Sequence, residues 1–553
     1  MLKVKCPDGK IHQYAPGTKI IDVAKEFATH YATPIAEAVL NGKAVGLPCP
    51  LENDSTLDFV ELNSIAGNRV YVRTLFFAFI TAMAMKRPEV QIELRNSLGN
   101  AIYCNVKNGI TLSKYDLEDV HQAMQELIDR KEPVELQWLT VEEAKKVVRP
   151  HLSKDTLPLL DVVEGIDKVP VYRLKDEWAF FLGNMLPDLG YIKGYKLMNY
   201  KTGVLITYPT GPDYNVVPEF VDKPKLAKVY DAAEELGQRI NCSTVSALNK
   251  FIKDGNSRGI IQISEARHEK EIAAIADKIS NSQRHIRLVL IAGPSSSGKT
   301  TFSQRLAVQM RLNGLQPMPI SLDNYFKERV DTPRLPDGSY DFECLEALDL
   351  ELFNSHLERL IAGDTVKIPH YSFRTGQREF RGQTITLGEK GVLVVEGIHG
   401  LNERLSAAVD KDAKLKIYIS ALTPLSFDDN NRIYTSDMRL MRRMVRDSQF
   451  RSHDALGTLR GWSKVREGEE KYIFPFAEEA DVMLNTTLIY EFAVFKKYAE
   501  PLLKAIPLDV PESAEAQRLL TMLRASLSID DEAVPNNSII REFVGGSIFG
   551  DLL

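Results

Sequence analysis

The N-terminal part of the chain consists of short runs in which apolar and polar residues alternate. Alternation over LKVKC and KIHQY, on either side of the turn CPDGK, predicts two short strands. A helical pattern follows from Ile20 to Phe27, and strand-like runs continue to about residue 65. Residues 1–65 are therefore predicted to form a small α+β domain.

The next segment, residues 66–225, mixes helical and strand patterns. The most apolar window, Leu75 to Met85, predicts a buried helix, and VQIEL and AIYCNV predict strands. Apolar residues from Leu117 to Arg130 recur every three or four positions, which places them on one helical face. This segment is predicted to be a second α+β domain.

The pattern changes in the second half of the chain. Residues 226–284 are predicted to be a helical linker, because their clearest stretch, Glu265 to Ile279, is charged and helical. From 285 to 503 buried apolar strands alternate with longer helices, which predicts an α/β domain whose parallel sheet is covered on both faces. Residues 504–553 are predicted to be a helical appendage and tail.

Composition narrows the class of protein. The 553 residues carry a net charge of −6, with 44% hydrophobic and 26% charged residues, as in soluble globular chains. The apolar window at 75–85 is too short to span a bilayer, which takes about 20 residues. Five scattered cysteines without a CxxC pair, and an N-terminus without a secretory signal, favour a cytoplasmic protein without a membrane partner.

The strongest chemical signal is a glycine-rich loop between an apolar strand, 286–292, and a helical stretch, 301–312. Its glycines allow backbone N–H groups to turn toward phosphates, and the lysine reaches the β- and γ-phosphates. The predicted nucleotide-binding residues are Gly293, Ser295, Ser296, Ser297, Gly298, Lys299, Thr300 and Thr301.

Two carboxylates follow other apolar runs. Glu396 ends the strand GVLVV, where it can hold Mg²⁺ beside the loop together with the Thr300 hydroxyl. Asp323 ends the run MPISL and is the candidate base for an acceptor hydroxyl, a role worth about 10²- to 10⁴-fold in rate. The alternative for Asp323 is a structural cap of the next turn.

One predicted helix carries four arginines on a single face. They are spaced at i, i+3, i+4 and i+7, so their guanidinium groups can close over a transferring phosphoryl group as a lid. A solvated charged face is the alternative. The four residues are Arg439, Arg442, Arg443 and Arg446.

These motifs resemble the uridine kinase and phosphoribulokinase family of P-loop kinases over about 285–490. The matching segments are GPSSSGKTT, LDNYF, IPHYSFRTGQR, VVEGIHGL, DMRLMRRMVRD and FAEEADVMLN. The resemblance implies ATP- and Mg²⁺-dependent transfer of the γ-phosphoryl group to a primary hydroxyl, which in uridine kinases is the 5′-hydroxyl of a nucleoside.

The resemblance also assigns roles to residues. Asp323 becomes the base, Arg439, Arg442 and Arg443 belong to the lid, and the magnesium ligands are Thr300, Glu396 and Asp323. The substrate-binding residues that it implies are Glu343, Tyr371, Phe373 and Arg378. Ser372 and Gly376 depart from the uridine kinase pattern, so another hydroxylated acceptor stays open.

The N-terminal half resembles threonyl-tRNA synthetases. PDGKIHQY, PIAEAVLNGKAVGL and LENDSTLDFV match a β-grasp TGS domain, and 66–225 resembles the editing domain that follows it. The family's metal-ligand positions fall on Arg73, Phe77, Ile192 and Lys193, which cannot assemble a zinc site. The half is therefore predicted to be a binding or regulatory module, or only a stabilising or oligomerising one.

The combined prediction is a cytoplasmic, ATP-dependent nucleoside kinase whose substrate is uridine or cytidine. The alternatives are a P-loop kinase of another small hydroxylated metabolite and an ATP-switched RNA-binding regulator. Residues 1–65 carry six lysines, no arginine and eight acidic residues, which disfavours nucleic acid as a partner of that domain. Nucleic-acid binding by the rest of the N-terminal half and a homo-oligomer both stay open.

Overall fold

The computed structural model describes residues 1–148, 156–160, 167–210, 213–372, 374–451 and 453–549. Within these ranges no helix combines the length and the apolar character that a membrane span requires. Phe373, one of the predicted substrate residues, lies outside the described residues.

The first domain is a five-stranded mixed sheet with one helix packed on it. The strand order is β2-β1-β5-β3-β4, with β1 and β5 parallel. Ile20, Val23 and Phe27 of the predicted helix are buried against the sheet, which confirms that helix. The elements are β1 (Leu2–Lys5), β2 (Ile11–Tyr14), α1 (Ile20–Phe27), β3 (Ile35–Leu40), β4 (Lys43–Val45) and β5 (Ser55–Glu61).

The second domain contains two antiparallel sheets around a buried helix. Their strand orders are β10-β9-β8 and β11-β12-β7-β6. The elements are α2 (Ile65–Lys86), β6 (Ile92–Leu98), β7 (Ala101–Val106), α3 (Lys114–Asp129), β8 (Glu135–Thr140), α4 (Val141–Val148), α5 (Thr156–Leu160), β9 (Lys168–Leu174), β10 (Glu177–Phe180), β11 (Lys196–Tyr200) and β12 (Gly203–Thr207).

Side-chain caps set the starts of both long helices in this domain. α2 begins ten residues before its most apolar window because the Ser64 hydroxyl accepts the Gly67 N–H at 3.0 Å. α3 begins with a capping box: Ser113 Oγ accepts the Asp116 N–H, and the Asp116 carboxylate accepts the Ser113 N–H. The apolar spacing alone could not locate these starts.

Three helices lead from the second domain to the large sheet: α6 (Pro224–Arg239), α7 (Val245–Lys253) and α8 (Ser257–Ser280). They cover the stretch that was predicted as a helical linker. Ile260, Ile272 and Ala276 of α8 are completely buried in the same core as the following domain. These helices therefore contribute to packing as well as to connection.

The large domain is built on a five-stranded parallel sheet of order β14-β19-β13-β20-β21, as the alternating pattern predicted. Its central strand leads directly into the glycine-rich loop. The elements are β13 (Leu288–Ala292), α9 (Lys299–Leu312), β14 (Gln316–Ser321), α10 (Leu350–Ile361), β15 (Thr365–Lys367), β16 (His370–Ser372), β17 (Gln377–Glu379), β18 (Thr384–Thr386), β19 (Gly391–Glu396), β20 (Lys414–Ser420), α11 (Thr435–Phe450), α12 (Ala455–Tyr472), β21 (Val482–Asn485) and α13 (Glu491–Lys504).

The C-terminal part packs onto both halves of the chain. It contains α14 (Ser513–Arg524) and the short α15 (Arg541–Val544). α14 touches β4 of the first domain, and α15 touches α11. The predicted appendage is thus part of the folded body, and its buried residues join the core around the parallel sheet.

A network of ion pairs around the buried Asp437 connects the N-terminal half to the large domain. Arg69 of α2 binds Asp437 of α11 at 3.2 Å and Glu515 of α14 at 2.9 Å. Arg518 binds the same two carboxylates. Burial would raise the pKa of Glu515, but the charges of Arg518 and Arg69 lower it well below its usual range.

Removing Arg69 tests this connection. Asp437 is only 1% exposed, so Arg69→Ala removes one of the two cations that neutralise a buried charge. We expect the free energy of unfolding to fall by about 3 kcal/mol and the thermal unfolding midpoint to fall with it. Arg239→Ala, which breaks an exposed ion pair, is the matched control and should leave the midpoint nearly unchanged. Equal midpoints for the two variants would contradict a stabilising role for the network.

Candidate active site

The glycine-rich loop between β13 and α9 is shaped by backbone conformations that few residues adopt. Gly298 has a φ of +86° and Ser296 a φ of +59°. A Cβ on Gly293 would lie 2.2 Å from the carbonyl oxygen of Ile419 on the neighbouring strand. These positions let the loop turn tightly from the central strand into the helix, where N–H groups converge.

The loop also contains polar groups suited to a phosphate. Ser296 and Ser297 are buried, and within the described parts of the chain neither hydroxyl has a hydrogen-bond partner. Thr301 is buried in the first turn of α9, and Thr300 is half-buried beside it. Buried donors without partners at a helix N-terminus fit an anionic ligand.

Lys299 folds back onto the loop from which it extends. Its Nζ donates to the carbonyl oxygens of Gly293, at 2.9 Å, and Pro294, at 3.2 Å. Burial lowers the pKa of Lys299, while the negative charges of Glu396 and Asp323 act in the opposite direction. The lysine and both predicted carboxylates therefore belong to one electrostatic cluster.

The two carboxylates lie at the carboxyl ends of adjacent parallel strands. Glu396 is the last residue of β19, and Ser321, at the end of β14, donates a hydrogen bond to Glu396 Oε1 at 2.9 Å. Asp323 follows in the turn Leu322–Tyr325. Desolvation and the charge of Asp323 raise the pKa of Glu396 to about 7.

Asp323 is exposed, as a group that contacts an acceptor must be. The surrounding protein displaces part of its hydration and raises its pKa, while Lys299, Arg451 and Arg446 lower it. Two further arginines thus act on the predicted base. Arg451 was not singled out from the sequence; its signal is its position directly after α11, five residues beyond Arg446.

The arginine-rich face of α11 donates hydrogen bonds to carbonyl oxygens of the phosphate loop. Arg439 donates to Ser295 O at 3.0 Å and pairs with Glu469, and Arg442 donates to Ser296 O at 3.3 Å. Both arginines are completely buried, so in this structure they stabilise the loop backbone from the protein interior. Their role in a lid stays a prediction.

The other two arginines of this face are less buried. Arg443 donates to the Ser295 hydroxyl at 2.8 Å and pairs with Asp447 at 3.3 Å. Arg446 pairs with the same aspartate at 2.8 Å. These two guanidinium groups retain some exposure beside the loop, which a contact with a phosphoryl group requires.

Glu469 of α12 was missed at the sequence level. It is 1% exposed, and its Oε1 accepts the Ser295 N–H of the loop at 2.9 Å while binding Arg439. The carboxylate therefore links a loop amide to the buried arginine. Nothing in the local sequence marks it, because its partner in the loop is 174 positions away.

The predicted substrate residues fall in two places. Glu343 lies near Arg443 and Lys299, and burial together with the Glu469 charge raises its pKa to about 7. Tyr371 of β16 is buried, with its ring 5.5 Å from that of Phe326, and its N–H donates to Asn324 in the turn that holds Asp323.

Arg378 stands opposite Tyr371 in the hairpin of β16 and β17. Its guanidinium pairs with Asp349 at 2.7 Å. The hairpin thus packs beside the turn of the predicted base, with Arg378 held by the carboxylate that also caps α10.

The editing-like positions in the second domain make packing contacts. Phe77 is completely buried, with its ring 5.3 Å from that of Phe181, and Ile192 is buried in the same core. Arg73 donates to the carbonyl oxygen of Asn184, and Lys193 to that of Gly190. In the described part of the chain, no group of three or more His, Cys, Asp or Glu side chains could hold a metal ion.

Both halves of the chain are similar to known proteins. Residues 288–489 match the Phosphoribulokinase / Uridine kinase family. A uridine kinase of Mycoplasma pneumoniae is 29% identical over 229 residues, which cover 39% of this chain and 96% of that protein. A uridine kinase of Schizosaccharomyces pombe is 31% identical over 193 residues, which cover 34% of this chain and 38% of that protein.

The N-terminal region is similar to a different group of enzymes. A threonine–tRNA ligase of Thermotoga petrophila is 32% identical over 238 residues, which cover 42% of this chain and 34% of that protein. The chain thus spans about a third of the length of the ligases that it matches. It carries a phosphoribulokinase/uridine kinase family domain over residues 288–489, preceded by a region similar to threonine–tRNA ligases.

Proposed function

We propose that the protein is a nucleoside kinase that transfers the γ-phosphoryl group of ATP to the 5′-hydroxyl of uridine or cytidine. The observation that carries the proposal is the convergence of Lys299, Asp323 and Glu396 at one end of the parallel sheet, beside a loop shaped for phosphates. The similarity to uridine kinases supports the acceptor class.

The residues present fit both cofactors. The buried loop hydroxyls and helix N-terminus suit the phosphates of ATP, and Thr300, Glu396 and Asp323 offer the oxygen ligands that Mg²⁺ prefers. When bound, Mg²⁺ neutralises charge on the phosphate oxygens. Lys299, already aimed at the loop, supplies a further positive charge to them.

Asp323 accepts the proton of the acceptor hydroxyl in this proposal. Its raised pKa and exposure suit a carboxylate that must take up a proton and meet a substrate. The positive charges of Arg446 and Arg451 stabilise the ionised form of Asp323. A protein that used ATP only as a switch would not need a base in this position, which favours the kinase over the regulator.

Glu343 accepts hydrogen bonds from the sugar hydroxyls of the acceptor. It lies close enough to Lys299 and Asp323 for their charges to shift its pKa, so an acceptor held by Glu343 would also be near the base. Tyr371, Arg378 and Phe373 complete the proposed acceptor site; the first two lie on the hairpin beside the Asp323 turn.

Lys299→Ala tests the phosphate loop. Losing the ammonium group removes a preorganised charge from the transferring phosphoryl group, and we expect kcat/KM with Mg-ATP and uridine to fall about 10²-fold or more. Lys411→Ala, at an exposed lysine of the same domain, should keep full activity. Full activity in the folded Lys299→Ala variant would remove the assignment of the loop.

Asp323→Asn tests the base separately from nucleotide binding. We expect kcat to fall about 10²-fold or more, because the amide cannot take the acceptor proton. The Kd of ATP, measured without Mg²⁺ because Asp323 is also a proposed magnesium ligand, should change little. ADP release gives kcat, and calorimetry gives the Kd. A loss of only a few-fold in kcat would assign Asp323 to the structural turn in which it lies.

The pH dependence of the acceptor KM tests Glu343. Its pKa of about 7 means that the side chain is ionised above pH 7 and becomes protonated below it. The charged groups that face it are Glu469, Arg443, Lys299 and Asp323. At saturating Mg-ATP we therefore expect the uridine KM to rise as pH falls through about 7.

In Glu343→Gln this rise should disappear, leaving a high KM at every pH. Glu346→Gln, at an exposed neighbour paired with Arg404, is the matched control and should keep the wild-type KM profile. An unchanged KM profile in Glu343→Gln would exclude Glu343 from the acceptor site.

A further inference from the structure

A C-terminal segment is packed directly against the phosphate loop. Ile539, Ile540 and Phe543 are completely buried. Ile539 lies so close to the loop that its Cγ2 is 2.7 Å from the position of a Cβ on Gly298. Residues 538–544, here named the C-terminal stopper, therefore touch Gly298, the residue directly before α9.

The stopper brings a carboxylate to the anion-binding end of α9. Glu542 Oε2 accepts the Thr301 N–H at 3.0 Å, and Glu542 is 5% exposed. This N–H is one of the helix N-terminal donors that the loop offers to a phosphate. A carboxylate oxygen and a phosphate oxygen are both anionic acceptors, so they cannot occupy this position together.

The charge of Glu542 also reaches the rest of the site. Burial lowers the pKa of Lys299, and the Glu542 charge raises it, as do Glu396 and Asp323. Glu542 likewise contributes to the raised pKa of Glu396. The carboxylate therefore lies within the electrostatic cluster that a polyphosphate would enter.

We propose that the C-terminal stopper is an autoinhibitory element in which Glu542 takes the place of a nucleotide phosphate at Thr301. The inference rests on the proposed function, since it concerns the same phosphate loop. Nucleotide binding displaces the Glu542 carboxylate, and the free energy of that displacement weakens the apparent affinity for ATP.

Contacts outside the loop hold the stopper in place. Ser538 donates to Glu265 of α8, and Phe543 lies 5.1 Å from the guanidinium of Arg442, which itself braces the loop. Arg541 binds Asp531 and the carbonyl oxygen of Val534, closing the preceding turn on itself. The stopper is thus a turn closed by its own hydrogen bonds, whose apolar side chains pack in the core around the parallel sheet.

Glu542→Gln is the direct test. The amide keeps the size of the side chain and an acceptor oxygen but removes the charge that competes with phosphate. We expect the Kd of Mg-ATP, measured by calorimetry on the full chain without any acceptor, to fall about fivefold or more. Glu532→Gln, at an exposed carboxylate of the same C-terminal part, should bind as the wild type does.

A second variant and a second readout distinguish the proposed autoinhibition from a folding defect. Ile539→Ala weakens the docking of the stopper without touching Glu542, and it should lower the Kd in the same direction. Hydrogen exchange of residues 536–549 in the wild type should increase on adding Mg-ATP or inorganic tripolyphosphate, because either ligand releases the segment.

The opposite results would overturn the inference. Unchanged or weaker binding in both folded variants, or unchanged exchange in the segment at saturating Mg-ATP, would make Glu542 a permanent cap of α9. Tighter Mg-ATP binding in Glu542→Gln without phosphoryl transfer to any nucleoside would instead contradict the proposed acceptor and still support the stopper.

Discussion

The phosphate loop imposes the constraint on which the rest of the large domain depends. A loop that turns its N–H groups inward and takes positive φ at Ser296 and Gly298 leaves both its carbonyl oxygens and its amides in need of partners. Buried Arg439 and Arg442 bind the carbonyl side, and Glu469 and Glu542 accept two of the N–H groups. Side chains thus bind two carbonyl oxygens and one N–H group of the loop, and one N–H group of the first turn of α9.

This support joins the two halves of the chain. Asp437 lies on the same helix as the two bracing arginines, and it is held by Arg69 of the second domain and by Arg518 of α14. α11 therefore contacts both the N-terminal half and the phosphate loop. The region similar to threonine–tRNA ligases is thus joined to the kinase family domain by ion pairs, and Phe77, at a position where the resemblance expects a metal ligand, packs in its core.

The sequence was sufficient to predict the elements that depend on residues close together in the chain. The strand, loop and helix around Lys299, and the strand-end position of Glu396, follow from patterns within about 15 residues, and the structure confirms both elements. Glu542 could not be found in this way, because its partner is 241 positions away. The spacing of Arg439 and Arg442 placed them on one helical face, but only packing determines that this face is buried behind the loop.

The most direct test of the account is ADP release from Mg-ATP by the full chain across a panel of acceptors. The panel contains uridine, cytidine, purine nucleosides, pantothenate and ribulose 5-phosphate. The account predicts turnover that depends on a pyrimidine nucleoside and yields its 5′-monophosphate. Binding of Mg-ATP without turnover on any acceptor would contradict the kinase assignment and favour a regulator that uses ATP as a switch.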